Sequence, residues 1–215
     1  MIRDEYQEIY DFWKANPCKG GNENFPFWMF KDMRVLEIGT GMGNDAKRFL
    51  KAGAKYTGID LTPQGLHTFT NFHILQMNAE ELDFPNDHFD LTYSFGVIHH
   101  TLRPARVIDE MLRVLKPGGL FCVMLYNKLS FRYLIEIKIL RKILWHLHYW
   151  KYNEIRKKIP HPTKAEWISI NTDNIGCPMS RAYTKKEVLG MFARFRDLKT
   201  WTERKGWFRI ITGRK

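Results

Sequence analysis

Three glycines and two acids, placed near the ends of apolar stretches, are the residues of this sequence best suited to bind a small polar ligand. Glu37 lies in the apolar stretch VLEIG, and the glycines follow at alternate positions: Gly39, Gly41 and Gly43. In the dinucleotide-binding fingerprint the third glycine comes three residues after the second, where Asn44 stands here. Two interpretations stay open: an ordinary strand-to-helix turn, and a turn over which the backbone approaches a ligand closely.

The second acid, Asp60, ends the next apolar stretch, KYTGID. Its separation from Gly39 is about that at which an acid meets a ribose diol in nucleotide-binding units. A carboxylate there accepts hydrogen bonds from both hydroxyls and repels a ribose 2′-phosphate. The two stretches together therefore favour a ligand that carries an unphosphorylated ribose.

The surrounding sequence alternates short apolar strands with helices. The predicted strands are MRVLEIG, KYTGID, FHILQM, FDLTYSFG and LFCVMLYN, and the predicted helices between them are TGMGNDAKRFLKAGA, TPQGLHTFT and RPARVIDEMLRVLKPGG. A last helix, KKEVLGMFARF, precedes RDLKTWTERKGWFRIITGRK, which reads as a hairpin. Because the first strands are continuous apolar runs, they predict a parallel sheet covered by helices on both faces. The fold class is thus α/β, with a doubly wound seven-stranded sheet that is mostly parallel and ends in an antiparallel hairpin.

Composition limits the kinds of protein that this sequence can be. The 215 residues suit one domain, and no apolar run is long enough to span a membrane. The three cysteines are far apart and no Cys/His cluster occurs, which argues against a disulfide framework or a metal site. Without a signal-peptide pattern, we expect a cytoplasmic protein. The net charge of +11 favours an anionic partner, which could be nucleic acid, a membrane surface or an acidic small molecule.

The ordered set of segments resembles the class I S-adenosylmethionine-dependent methyltransferases (the methyltransferase-11 group, which includes ubiquinone and menaquinone biosynthesis enzymes). The set comprises the glycine turn, Asp60, and the stretches QMNAEELDFPNDHFD, SFGVIHHT and RVLKPGG, and it covers roughly Met33 to Asn127. The resemblance implies a Rossmann-like fold and S-adenosyl-L-methionine as the methyl donor. It also implies S-adenosyl-L-homocysteine as the product, and no metal.

The same resemblance assigns cofactor contacts. It places Glu37 at the methionine end and Asp60 at the ribose, and it puts Asn78 where the family usually has an acid bonded to the adenine amino group. The amide oxygen of Asn78 can still accept that hydrogen bond. The full expected set is Glu37, Gly39, Thr40, Gly41, Gly43, Asn44, Asp60, Leu61, Asn78, Ala79, Glu80, Ser94, Phe95, Gly96 and His99.

Candidate residues for the acceptor side follow the fourth and fifth strands. His99, His100 and Tyr126 are candidates for a proton acceptor, although the two histidines could simply pack and bond their own turn. Candidate contacts to the acceptor are Tyr126, Asn127, Arg181 and Tyr183. For the last two, the alternative is a surface loop in which Thr184 caps the following helix.

We divide residues 1–215, one domain, into four parts. An N-terminal lid helix and loop occupies 1–30, with the helix over 5–14, and the cofactor-binding core occupies 31–127. A basic and aromatic cap insertion occupies 128–182, and the last helix and hairpin occupy 183–215. Helical spacing in the cap puts an apolar stripe opposite a basic face; the stripe is Ile137, Leu140, Leu144 and Leu147, and the basic face is Lys138, Arg141, Lys142 and His146.

The basic and aromatic cap suits several kinds of partner. A lid over an anionic or hydrophobic small-molecule acceptor is the favoured interpretation, followed by membrane-surface contact through 130–159, RNA binding and a dimer interface. The expected function is methyl transfer to such an acceptor; the alternatives are an RNA or membrane-lipid methyltransferase and an inactive cofactor-binding module. A dehydrogenase is disfavoured by Asn44, and an aminopropyltransferase by the lack of an acid in SFGVIHH.

Overall fold

The computed structural model describes residues 25–62, 73–131, 133–146, 157, 159–172, 179–203 and 206–215. The helix expected over 5–14 and the helix TPQGLHTFT, apart from its first residue, lie outside the described residues. So does the part of the cap from 147 to 156. The statements below concern the described residues.

The five predicted parallel strands are confirmed as β1 Arg34–Ile38, β2 Lys55–Asp60, β3 Ile74–Gln76, β4 Phe89–Phe95 and β5 Leu115–Asn127. A two-residue strand, β6 Ala182–Tyr183, and the predicted hairpin, β7 Arg196–Thr202 and β8 Phe208–Arg214, complete the sheet. The order is β3-β2-β1-β4-β5-β8-β7, and β6 pairs in parallel with the end of β5. Pairs β5–β8 and β8–β7 are antiparallel. Among the described residues the sheet has eight strands, one more than the seven predicted. The additional strand is β6, which at two residues is too short to show an alternating pattern in the sequence.

Five α-helices accompany the sheet in the described residues: α1 Asn44–Lys51, α2 Pro104–Val114, α3 Arg141–His146, α4 Lys164–Thr172 and α5 Lys185–Met191. Pro104 occupies the first turn of α2, where its missing N–H costs nothing. Thr184 and Glu187 form a reciprocal capping box at the start of α5, which confirms Thr184 as the cap. Short 3₁₀ turns occupy Phe27–Phe30 and Ile98–His100.

The two faces of the sheet bury separate cores, which is the physical basis of the doubly wound fold. One face is aromatic and includes Phe25, Phe30, Phe49 and Tyr93. The other face is mainly aliphatic and is covered by α2 and α5. The stretch from Phe25 to Phe30, which the sequence analysis placed in the lid, contributes to the first core; the rings of Phe25 and Tyr93 are 4.8 Å apart.

The segment LKPGG, expected to end α2 and turn into the fifth strand, belongs to β5 itself. The register with β4 shifts between Phe89 and Leu91, so these residues form a bulge rather than a separate turn. A Cβ on Gly119 would lie 2.9 Å from the carbonyl oxygen of Lys116, which explains why a glycine is required there.

The cap is helical after β5, as predicted, but its faces differ from the predicted ones. Residues Tyr133–Leu140 form a π-helix that continues into α3. Leu140, expected on the buried stripe, is 46% exposed, whereas Arg141, expected on the basic face, is buried. A π-helix has more residues per turn than an α-helix, so the faces drift away from the spacing that the sequence analysis assumed. None of the helices in the described ranges is long and apolar enough to cross a membrane.

Candidate active site

The candidate site lies at the carboxyl ends of β1, β2 and β4. Strand β1 pairs with β2 on one side and with β4 on the other, so the chain reverses its direction of travel across the sheet at this point. Ligands of open α/β sheets bind in the crevice outside such a switch point. The glycine turn, Asp60 and the end of β4 all lie there.

The three glycines of the turn share one conformation. Their φ angles are +82° at Gly39, +48° at Gly41 and +67° at Gly43, all in the left-handed region. Residues with a Cβ rarely adopt this region, so the spacing of the glycines follows from the turn. Asn44 begins α1. The backbone of this turn can therefore approach a ligand without side chains between them.

Asp60 is bonded directly to the glycine turn. Its Oδ2 accepts a hydrogen bond from the N–H of Gly41 at 2.9 Å. Its Oδ1 accepts from the N–H and hydroxyl of Thr62, at 3.0 and 3.1 Å. The carboxylate expected to bind a ribose therefore also fixes the position of the turn.

Glu37 is 4% exposed and lies beneath the turn. The hydroxyl of Tyr56, on the neighbouring strand, donates a 2.5 Å hydrogen bond to its Oε2. Burial raises the pKa of Glu37 to about 8; Tyr56 opposes the shift, and Asp45 and Asp60 add to it. Glu37 is therefore mainly protonated at neutral pH when no cation is beside it.

The residues expected at the adenine end are partly committed to local structure. The Oδ1 of Asn78 accepts a hydrogen bond from the N–H of Glu80 at 3.0 Å, so the oxygen expected to meet the adenine amino group already caps its own turn. The carboxylate of Glu80 accepts from the backbone N–H and the guanidinium of Arg103, at 2.8 and 2.7 Å. Leu61 is exposed at the rim and Ala79 is half-buried. Adenine contacts by Asn78, Ala79 and Glu80 stay predictions.

The end of β4 offers backbone rather than polar side chains. The hydroxyl of Ser94 is buried and donates to the carbonyl of Ile38 on β1 at 3.1 Å. Phe95 is half-buried and stacks on Tyr93. Gly96 has a φ of +85° and ends the strand with a sharp turn. The side chain of the next residue, Val97, lies against Gly39.

The two histidines that follow β4 pack against Tyr126 of β5. The ring of His99 is fully buried, 3.9 Å from the ring of Tyr126 and 4.2 Å from that of His100. Burial, and secondarily His100, holds the pKa of His99 well below its usual value, so its imidazole is neutral. Neither ring nitrogen of His99 has a hydrogen-bond partner among the described residues. His100 instead bonds through Nδ1 to the carbonyl of Met179 at 2.7 Å.

Two of the expected acceptor contacts hold loops together. Asn127 is buried; its Nδ2 donates to the carbonyl of Gly206 at 2.7 Å and its Oδ1 accepts from the N–H of Leu129. The guanidinium of Arg181 donates to the carbonyls that follow the histidine turn, Thr101 at 2.6 Å and Leu102 at 3.3 Å.

Tyr183 differs from these two residues. Its hydroxyl is buried without a hydrogen-bond partner among the described residues. Burial raises the pKa of this hydroxyl, so it stays protonated and can donate.

Sequence reasoning missed the residues that support the site from below. Tyr56 bonds Glu37, and the hydroxyl of Tyr93 donates to Asp45 at 2.8 Å. Both tyrosines lie in apolar strands, where sequence alone reads them as core. A hydroxyl in such a strand requires a buried partner, and that requirement was the available signal. The described residues contain no group of three or more His, Cys, Asp or Glu placed to share a metal ion.

Comparison with known proteins relates the fold and one segment of the chain to methyltransferases. The sequence profile described as "Methyltransferase domain" matches residues 36–123, the segment that carries the glycine turn, Asp60 and both histidines. This segment, about two fifths of the chain, is thus similar to a methyltransferase domain. The mostly parallel sheet with its terminal antiparallel pairs, together with the likeness in fold to solved S-adenosylmethionine-dependent methyltransferases, confirms the predicted fold class.

Curated relatives match over the same region. A ubiquinone biosynthesis O-methyltransferase of Colwellia psychrerythraea is 31% identical over 124 residues, which are 54% of this chain and 50% of that protein. A phthiotriol/phenolphthiotriol dimycocerosates methyltransferase of Mycobacterium leprae is 34% identical over 40% of this chain and 35% of its own length. The chain thus spans at most about half the length of these relatives.

Solved structures resemble the whole chain in fold. The 1,6-didemethyltoxoflavin-N1-methyltransferase of Burkholderia thailandensis, determined with S-adenosylhomocysteine, superposes with a TM-score of 0.56 at 16% identity. That superposition covers 99% of this chain and 84% of the other. At this level of identity the likeness shows the fold alone.

Proposed function

We propose that the protein transfers a methyl group from S-adenosyl-L-methionine to a small-molecule acceptor. The observation that carries this proposal is the bond between the glycine turn and Asp60 at the switch point of the sheet. It holds a ribose-binding carboxylate and a turn without side chains next to each other. The acids Glu37 and Asp60 suit an ammonium and a diol, whereas the described part of the site offers no cation for a pyrophosphate.

The residues present fit this cofactor. The buried hydroxyl of Thr40 has no hydrogen-bond partner among the described residues, and Tyr56 bonds one of the two carboxyl oxygens of Glu37, so both residues can bond an amino acid group. In this assignment Glu37 holds the α-ammonium, the turn backbone holds the methionine carboxylate and Asp60 holds the ribose. The cofactor, when bound, supplies a methyl group on a sulfonium whose leaving group is a neutral thioether. The protein has mainly to align the acceptor and exclude water.

On the acceptor side, the proposal uses Tyr126, His99 and Tyr183. Neutral His99 can accept a hydrogen bond from an acceptor hydroxyl or amine, and the Tyr183 hydroxyl can donate one that orients the acceptor. Asn127 and Arg181 shape the region through their loop contacts. The curated relatives are named for ubiquinone biosynthesis and for phthiotriol and phenolphthiotriol dimycocerosates, which supports an acceptor with a hydrophobic part.

The donor assignment is tested by calorimetry. We expect the protein to bind S-adenosyl-L-homocysteine and to show no heat with NAD, because Asn44 replaces the third glycine of the dinucleotide fingerprint. Transfer of a labelled methyl group into a small-molecule cell extract, read by mass spectrometry, then identifies the acceptor. Binding of NAD without a response to the thioether would contradict the proposal. Thioether binding without transfer into any extract would favour an inactive cofactor-binding module instead.

A second candidate, methylation at a membrane surface, is favoured by the exposed apolar side chains of the cap. They occupy a single segment and are Leu129, Phe131, Leu134, Ile135, Ile139, Leu140 and Ile143. A contiguous exposed apolar patch marks an interaction surface more often than a solvated one. Nucleic acid has no comparable support, since the net charge of +11 is its only indication.

Vesicle co-sedimentation tests this second candidate. We expect vesicles of phosphatidylcholine and phosphatidylglycerol to retain the wild-type protein. One variant that carries both Phe131→Glu and Ile139→Glu should reduce the bound fraction at least about fivefold, because charges are costly at the lipid interface. Trp28→Glu is the control, since Trp28 is 63% exposed but lies in the turn before β1. If the vesicles do not retain the wild-type protein at low or high salt, the membrane candidate is wrong. If they retain all three proteins equally, the contact does not involve the cap.

A further inference from the structure

A buried phenol and a buried carboxyl group form a closed pair under the glycine turn. Tyr56 of β2 donates to Glu37 of β1 at 2.5 Å, and both side chains are less than a tenth exposed. Gly58 reserves the space for them, because a Cβ there would lie 2.4 Å from the Thr40 Cγ2 and 2.5 Å from the Tyr56 hydroxyl. The pair is therefore built into the pocket floor and is not an incidental contact.

The charged groups around this pair are acidic. Asp45 faces Glu37 from α1, and Asp60 faces it from the end of β2. From β4, Tyr93 bonds Asp45, which Arg48 of α1 also approaches at 3.5 Å. A third negative charge inside this cluster is unfavourable, so Glu37 keeps a proton until a cation arrives.

Tyr56 is a donor only. Burial, the nearby carboxyl of Glu37 and their hydrogen bond raise its pKa, so the phenol does not give up its proton. Its hydroxyl therefore fixes the Oε2 of Glu37 and leaves Oε1 to bond another group.

We propose that Tyr56 is a positioning residue that fixes the orientation of the buried Glu37 carboxyl group, and that the α-ammonium of the methyl donor displaces the Glu37 proton to solvent. The balance is simple: one ammonium enters, one proton leaves, and the Tyr56 hydrogen bond persists throughout. This inference rests on the proposed function, because it takes the amino acid part of the cofactor as the ligand. Donor affinity should accordingly rise with pH between 6.0 and 7.5.

Calorimetry of S-adenosyl-L-homocysteine at pH 6.5, in two buffers that differ in ionisation enthalpy, counts the protons. We expect the wild-type protein to release about one proton per ligand bound, since Glu37 titrates well above this pH when empty. Glu37→Gln should bind without releasing a proton. Tyr56→Phe should still release a proton on binding, but it should bind about tenfold more weakly at pH 6.5. Its affinity should begin to rise only at a higher pH than that of the wild type, because Glu37 has lost the donor that stabilises its charge.

The control is Thr92→Val, which removes a buried hydroxyl without a hydrogen-bond partner from the neighbouring strand β4. Its affinity and proton release should match the wild type, and thermal unfolding should show that every variant is folded. If the wild type binds without releasing a proton, or Glu37→Gln releases as many, the proton displacement is wrong. If Tyr56→Phe keeps the wild-type pH profile, the role of Tyr56 is wrong. A wild-type protein that does not bind the thioether at all overturns the proposed function instead.

Discussion

Replacing Gly39 with alanine should abolish measurable binding of S-adenosyl-L-homocysteine and destabilise the domain by about 2–4 kcal/mol. The φ of +82° already disfavours any side chain at this position. In addition, the new Cβ would lie 2.1 Å from the Cγ2 and 2.8 Å from the Cγ1 of Val97, so the turn or the segment after β4 has to move. Either movement displaces the backbone on which the methionine part of the cofactor is proposed to lie. Calorimetry and chemical denaturation measure the two effects.

Gly41→Ala is the matched control for this experiment. Gly41 also has a positive φ, +48°, but a Cβ there meets nothing within 4 Å. We expect a stability loss of about 1 kcal/mol from the backbone conformation alone, with ligand binding weakened but measurable. If Gly39→Ala binds the thioether as well as Gly41→Ala does, the close approach of Gly39 to Val97 has no functional importance.

Replacing Asp60 with alanine should weaken S-adenosyl-L-homocysteine binding by about 1.5–3 kcal/mol, because two ribose hydroxyls lose a charged acceptor. The structure adds a second effect. Asp60 accepts hydrogen bonds from Gly41 and Thr62, so the empty protein should also lose about 1 kcal/mol of stability. Calorimetry gives the first quantity and denaturation of the empty protein gives the second.

Thr62→Val separates these two effects. It removes the hydroxyl that donates to Asp60 but leaves the carboxylate and the bond from Gly41 in place. We expect an affinity within about threefold of the wild type, since a single exposed hydrogen bond contributes little. Unchanged affinity in Asp60→Ala would mean that the ribose does not bind at the end of β2, and the donor orientation would have to be revised.

The fold and the location of the pocket were determined by short-range patterns in the sequence. Apolar strands alternate with helices, and that alternation identified every strand except the two-residue β6. The glycines of the turn were recognisable because left-handed backbone strongly selects residues without a Cβ. Asp60 was recognisable because the length of one strand–helix–strand unit fixes its distance from the turn. These features depend on residues close together in the chain, so sequence spacing contains them.

The partners of the polar side chains were decided only by the tertiary structure. Arg181, expected to clamp an acceptor, bonds the carbonyls of Thr101 and Leu102, and Asn127 bonds Gly206. Glu37 and Tyr56 look like an acid and a core aromatic until β1 and β2 pair and bring them to 2.5 Å. The same limit affected the cap, where a π-helix turned Leu140 outward and buried Arg141. A polar group that leaves water must find its partner wherever the fold brings one, and residues about 80 positions apart carry no periodic signal of their meeting.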